Sequence, residues 1–119
     1  MKRKHQDLKV WQESMSLVKD IYQVTNDFPR EEIYALTSQM RRAAISVPSN
    51  IAEGAARTGD KEFLQFLSIA RGSLSELETQ LILAEDLEYL QKNQCVMDRI
   101  DRVFALLGGL IKSQKGREK

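Results

Sequence analysis

The chain is poor in the residues that carry most metal and nucleophile chemistry: one cysteine and one histidine in 119 residues. Cys95 has no partner for an internal disulfide, which leans toward a reducing compartment. With no other Cys or His near it, it supports neither a zinc site nor thiol catalysis. The single histidine, His5, lies in the basic opening MKRKHQD. Di-iron bundles need Glu-x-x-His pairs facing inward from two helices. Haem ligation and Ser-His-Asp chemistry lack their histidine as well. Gly54, Gly59 and Gly72 stand alone, so there is no glycine loop to cradle a nucleotide phosphate. No apolar run approaches the roughly 20 residues that cross a bilayer. None of about 7–15 residues follows the basic start, as a secretory signal would require. These absences lead to the expectation of a non-catalytic cytoplasmic protein with no cofactor and no membrane attachment.

Two prolines and six glycines are few, which favours long helices over a many-stranded sheet. Hydrophobic residues at 42% and charged ones at 29% suit a packed globular domain. A chain of this size can bury about two-thirds of its unfolded surface. Residues 1–119 are therefore expected to form a single domain, with a short basic N-terminal arm and a polar basic C-terminal tail. The net charge of +1 hides an uneven distribution: +2 over residues 1–26, zero over 27–59, −5 over 60–91 and +4 over 92–119. An acidic helix beside basic termini is the picture this gives, and such asymmetry suggests interaction surfaces.

Apolar residues recur at helical spacing in four stretches. The first helix runs from about Leu8 to Asn26, capped by Asp7, with Val10, Ser14, Leu17, Ile21 and Val24 on its stripe and Trp11 and Val18 widening it. Pro29 ends it by pushing Phe28 out of helical geometry. A second helix begins near Arg30 to Glu32, and its stripe is Ile33, Leu36, Met40, Ala43, Val47, Ile51 and Ala55. That stripe passes Pro48 without losing phase, although an interior proline costs about 3 kcal/mol. Either one continuous helix kinks there, which the unbroken stripe favours, or Ser46 caps a new segment. Arg57-Thr58-Gly59-Asp60 reads as a turn, with Gly59 as a left-handed stop and Asp60 as the next cap. The third helix, about Lys61 to Gln91, carries Phe63, Leu67, Ala70, Leu74, Leu77, Leu81 and Ala84 in alternating steps of four and three. Asn93 caps the fourth, with Val96, Ile100, Val103, Leu107 and Leu110 inward. Gly108-Gly109 marks fraying or a close contact, and Ser113 to Lys119 reads as a mobile tail. Four helices with short links predict an all-α, antiparallel up-down four-helix bundle with its second helix kinked at Pro48.

Several residues need a reason to be where they are. Asn50 shares a face with Ala43 and Val47, so its amide needs partners. It either satisfies the carbonyl of Ala44, freed by Pro48, or bonds across to the third helix, or else it lines a partner surface. Arg42, Ser49, Glu53 and Arg57 form another stripe, in which Glu53 and Arg57 are four apart and form a pair worth about 0.3 kcal/mol. That stripe is either a solvated face or a contact between protomers. Ala70, Gly72, Ser73 and Ser75 make a small-residue patch suited to close approach of another backbone, and Gly72 there costs about 1 kcal/mol against alanine. Arg41, Arg42 and Arg57, with Lys112, Lys115, Arg117 and Lys119 of the tail, are the candidate phosphate contacts. Tyr22, Tyr34 and Tyr89 do not interleave with these arginines in the sequence, so no base-stacking platform is indicated.

Phe28-Pro29, the run Leu36 to Ala43 (LTSQMRRA), the run Ser46 to Gly54 (SVPSNIAEG), the run Phe66 to Ser73 (FLSIARGS) and Glu76 to Thr79 (ELET) together resemble the signature of the 23S rRNA intervening-sequence proteins. That family consists of small bacterial four-helix bundles. The nine-residue run holding Pro48, Asn50, Glu53 and Gly54, with Arg71, Gly72 and Ser73 in the later one, carries the specific part of the likeness. The fourth helix matches only in general character. The resemblance implies a homo-oligomer, commonly a pentamer around a central channel, and no established catalysis. A relative, the accessory variability determinant of diversity-generating retroelements, works with a reverse transcriptase and its RNA. This implies an RNA- or DNA-associated accessory or scaffold factor, with a protein partner such as a reverse transcriptase possible. The rival expectation is a protein-interaction module with no nucleic-acid role, in which the acidic third helix and the apolar interfaces matter most.

Overall fold

The computed structural model describes residues 2–117. Four helices, α1 (Lys9–Thr25), α2 (Leu36–Ala55), α3 (Asp60–Asp86) and α4 (Gln94–Arg117), pack as one bundle, and there is no strand among the described residues. Each helix lies beside two neighbours around the square, α1 beside α2 and α4, α3 beside α2 and α4, while the backbones of the diagonal pairs stay farther apart. Cross-contacts fix the relative directions. Arg99 and Arg102 of α4 meet Asp20 and Glu13 of α1, while Ser46 and Gly54 of α2 meet Ser73 and Phe66 of α3. In both pairs the numbering rises along one helix as it falls along the other, so these neighbours run antiparallel.

The core follows from the stripes. Leu17 and Ile21 from α1, Met40, Val47 and Ile51 from α2, Leu67, Leu74, Leu77 and Leu81 from α3, and Ile100, Val103 and Leu107 from α4 are fully shielded from solvent. Each such side chain is worth about 1.5–3 kcal/mol relative to exposure. Ser14 joins α1's stripe because its hydroxyl donates to the Val10 carbonyl at 2.6 Å, and Thr25 does the same to Ile21 at 2.7 Å. A polar residue is tolerated inside when its hydrogen bond goes with it. α2 runs through Pro48 as one element, and Pro48 is buried in it.

Several helix ends differ from expectation. Asp7 does not cap α1: it belongs to a 3-10 turn, Lys4–Asp7, and Leu8 occupies the cap position without a side-chain bond. Arg30–Glu32 is also a separate 3-10 turn, and α2 starts only at Leu36, where Glu32 accepts the Leu36 N–H at 3.2 Å. Ile33 therefore leaves the stripe and is exposed. Gly59 is the residue before α3, with an extended φ of −121°, and Asp60 is the first helical residue rather than the cap.

α3 stops at Asp86, five residues short of Gln91, because Glu88 adopts φ of 64°. The Glu88 N–H then reaches the Glu85 carbonyl and the Tyr89 N–H reaches that of Ala84, both at 3.0 Å. This is the Schellman stop, usually built on glycine. Asn93 does cap α4, its side-chain oxygen accepting from the Val96 N–H at 3.1 Å. Helix α4 continues through Ser113 to Arg117 instead of ending in a loose tail, with Ile111 and Gln114 turned inward and Leu110 only half-buried. A Cβ on Gly108 or Gly109 would meet nothing within 4 Å, so the pair marks neither fraying nor a close contact.

Candidate nucleic-acid interface

The motif residues sit mainly where α2 crosses α3. Gly54 is buried, and a Cβ there would lie 2.7 Å from the Phe66 Cβ and 2.9 Å from Phe63 Cδ1. It is this glycine that admits the neighbouring helix. Gly72 is exposed with nothing within 4 Å of its missing Cβ, which corrects the expectation of a close approach at the small-residue patch. From that patch only Ala70 is buried, and Ser73 is half-buried with its hydroxyl 2.8 Å from that of Ser46. Asn50 donates to both the Ser46 hydroxyl and the Ser46 carbonyl at 2.8 Å. Its amide thus serves Ser46 rather than Ala44, and Asn50, Ser46 and Ser73 form one polar link between the helices. Arg71 is exposed on the outer side of α3.

Six of the seven arginines and lysines expected to contact phosphate lie among the described residues, and they separate into two groups. Arg41 is half-buried, its Nε donating to Thr25 Oγ1 at 2.9 Å and its guanidinium lying 4.5 Å from the Tyr22 ring centre. Tyr22 and Arg41 are therefore neighbours in space, although the tyrosines do not interleave with the arginines in the sequence. Arg57 is tied to Glu53 at 3.2 Å and approaches Glu62 at 3.9 Å, with its guanidinium over Phe66 at 4.9 Å. Arg42 is exposed midway along the bundle, beside Gln39 and Glu76. Lys112, Lys115 and Arg117, in contrast, are all exposed on the last turns of α4. Lys119 lies outside the described residues.

Those last turns share an end of the bundle with the start of the chain. A cavity of about 180 Å³ there is lined by Lys4 and Leu8, by Ala55, Asp60 and Phe63, and by Leu110, Ser113, Gln114 and Arg117. Three distant stretches thus meet, residues 2–9, 53–62 and 112–117, and together they carry +5. The opposite end joins residues 20–41 to 83–101 and carries −5. There the Tyr89 hydroxyl donates to Glu32 Oε2 at 2.7 Å, and Phe28 packs on the Tyr89 ring. The bond to Glu32 raises the phenol's pKa above its usual 10.0. Asp20, 3.0 Å from Arg99 Nε, has a raised pKa because burial penalises its charge more than Arg99 relieves it. The bundle is 48 Å long and about half that in width, so the two signs are separated by end rather than by helix.

Lys2, Arg3, Lys4, Lys9 and Lys61 belong to this basic end and were not among the expected contacts. Their signal was present in the topology: in an up-down bundle the first and third helices begin where the second and fourth finish. Charges counted by end, rather than by segment, show the cluster.

The model of the 23S rRNA-intervening sequence protein family matches residues 6–109. The chain belongs to this family. The match reaches well into α4, beyond the motifs of α2 and α3 that carried the likeness. Comparison with curated proteins returns no match. No helix among the described residues is long and apolar enough to cross a membrane. The buried part of the family's motif, as it stands in this chain, is a packing device. Gly54 and the Ser46–Ser73 bond, which Asn50 supports through Ser46, hold α2 against α3. Pro48 is buried on the side of α2 that meets Trp11, Met15 and Val18 of α1.

Proposed function

We propose that this protein is a non-catalytic, homo-oligomeric accessory or scaffold factor of the cytoplasm that associates with RNA through the basic end of the bundle. The convergence of residues 2–9 with Lys112, Lys115 and Arg117 supports the reading above all. Lysine and arginine side chains gathered on one surface neutralise phosphates and release counterions, largely without regard to sequence. Lateral assembly, a pentamer by family likeness, would multiply such a patch into several contacts on one strand. Arg41 is a poor candidate on this reading, because its guanidinium already has partners.

Fluorescence anisotropy of a labelled structured RNA over a salt series tests this, with light-scattering mass taken on the same sample. Binding that weakens steeply with salt is expected. The triple variant Lys112→Glu, Lys115→Glu, Arg117→Glu should bind weakly and with a shallower salt slope, while Arg41→Gln changes little. No binding at low salt, or binding indifferent to the triple reversal, removes the reading.

A second reading, a protein-interaction module with a partner such as a reverse transcriptase, is favoured by a different surface. Trp11, Met15 and Val18 of α1 and Ile45, Pro48 and Ala52 of α2 line a mostly apolar groove, with Met15 and Ile45 exposed. Exposed apolar patches of this kind mark association sites. Capture of a single protein partner, lost when Ile45→Glu is introduced, would favour it over RNA.

A further inference from the structure

The two ends of the bundle match each other in more than charge. At the acidic end Tyr34 is 97% exposed, the most exposed of the large hydrophobic residues, and only Ile33 separates it from Glu31 and Glu32. A tyrosine ring held almost wholly in water, next to the start of a helix, has no packing role within its own molecule. At the basic end, the cavity of about 180 Å³ has apolar walls from Leu8, Phe63 and Leu110, with Lys4 and Arg117 also lining it. A cavity of roughly 150 Å³ can hold benzene, so the volume of this one suffices for a phenol ring. Gln114 also lines it; the residue is only 5% exposed, and its Oε1 has no hydrogen-bond partner. A buried carbonyl oxygen without a donor costs about 1–3 kcal/mol, and a phenolic hydroxyl is a donor of the right kind.

We propose that the protein self-associates head to tail, with Tyr34 of one copy seated in the basic-end cavity of the next. Glu31 then faces Lys4 and Arg117 across the junction, and the −5 end of one copy meets the +5 end of its neighbour. A contact between two different patches of the same chain is heterologous and extends into an open chain unless its rotation closes a ring. It is distinct from sideways assembly through helix faces and stands independently of RNA binding.

Sedimentation velocity of the full chain at low and high salt tests this. At low salt the average mass should grow with concentration beyond the mass of any lateral assembly, and the growth should vanish at high salt. Tyr34→Ala leaves a fully exposed site truncated, so melting should not change, yet association should weaken about tenfold or more, as loss of an aromatic anchor does. The double variant Lys4→Glu, Arg117→Glu blocks the other partner in the contact and should also stop growth. Mixing the two variants restores one competent junction, the intact Tyr34 of the second entering the intact cavity of the first. The mixture should form capped one-to-one pairs that do not extend. Constant mass of the wild type with concentration at low salt overturns the proposal. So does growth of Tyr34→Ala equal to that of the wild type, or a mixture that forms no pairs.

Discussion

A methyl group on Gly54 would lie 2.7 Å from the Cβ of Phe66, an atom fixed to the backbone of the neighbouring helix. Phe63 Cδ1, at 2.9 Å, belongs to a ring that can turn, but Phe66 Cβ cannot yield without moving α3. Gly54→Ala should therefore destabilise the fold by about 1–3 kcal/mol, the cost of overpacking, despite alanine's better helix propensity. Gly72→Ala meets open space and should stabilise by about 1 kcal/mol. Urea denaturation of the two variants, compared at equal slope, checks that the signs are opposite. At this scale the sequence was partly legible. Both glycines sit inside helices, between stripe positions, and both are costly there on propensity alone. Spacing cannot say which one faces a neighbour, because that depends on how the two helices are rotated against each other. The Glu53–Arg57 pair was readable from its four-residue spacing, and it forms although Arg57 lies just past the end of α2.

Helix ends show how an element is stopped, and α3 is stopped in an unusual way for its sequence. Glu88 takes the left-handed conformation at the Schellman position, where its Cβ is strained and its negative charge faces the negative end of the helix dipole. Glu88→Gly relieves both and should stabilise the protein by about 1 kcal/mol, seen as a higher denaturation midpoint with unchanged slope. One residue on, Tyr89 bonds Glu32 and ties the end of α3 to the turn before α2. Its folded pKa is raised above the unfolded value of 10.0. The folded state therefore holds this proton more tightly, so the bond's contribution is complete below pH 10 and is lost as pH rises through the folded value. Tyr89→Phe should melt below the wild type at pH 8 and converge with it in strong alkali, as thermal unfolding followed by circular dichroism would show. The interiors of all four helices could be read from their stripes, including the passage of α2 through Pro48. Apart from the Asn93 cap of α4, their ends could not: Asp7 and Asp60 are residue types that cap helices, yet the cap positions fall on Leu8 and Gly59, and α3 is stopped at a glutamate, Glu88. The competing local geometries differ by little more than 1 kcal/mol, so tertiary contacts such as Tyr89–Glu32 decide between them.

For the molecule as a whole, the decisive property is the sorting of charge by end. It was invisible to segment sums, which placed the acids on one helix, and it appears once antiparallel packing folds the chain back on itself. The basic end is shared between the proposed RNA contact and the proposed head-to-tail junction, and one end cannot serve both at once. RNA added at low salt should therefore shorten the head-to-tail chains, with the average mass per RNA falling as RNA is titrated in. Sedimentation of RNA and protein at separate wavelengths checks this. Opposite charges of five units each, held at the two ends of a bundle 48 Å long, also act before any contact is made. A body of that kind experiences a torque in the field of a polyanion, and within a Debye length of it the molecule is turned like a compass needle. It arrives with residues 2–9 and 112–117 foremost, so fewer collisions are wasted on the wrong orientation.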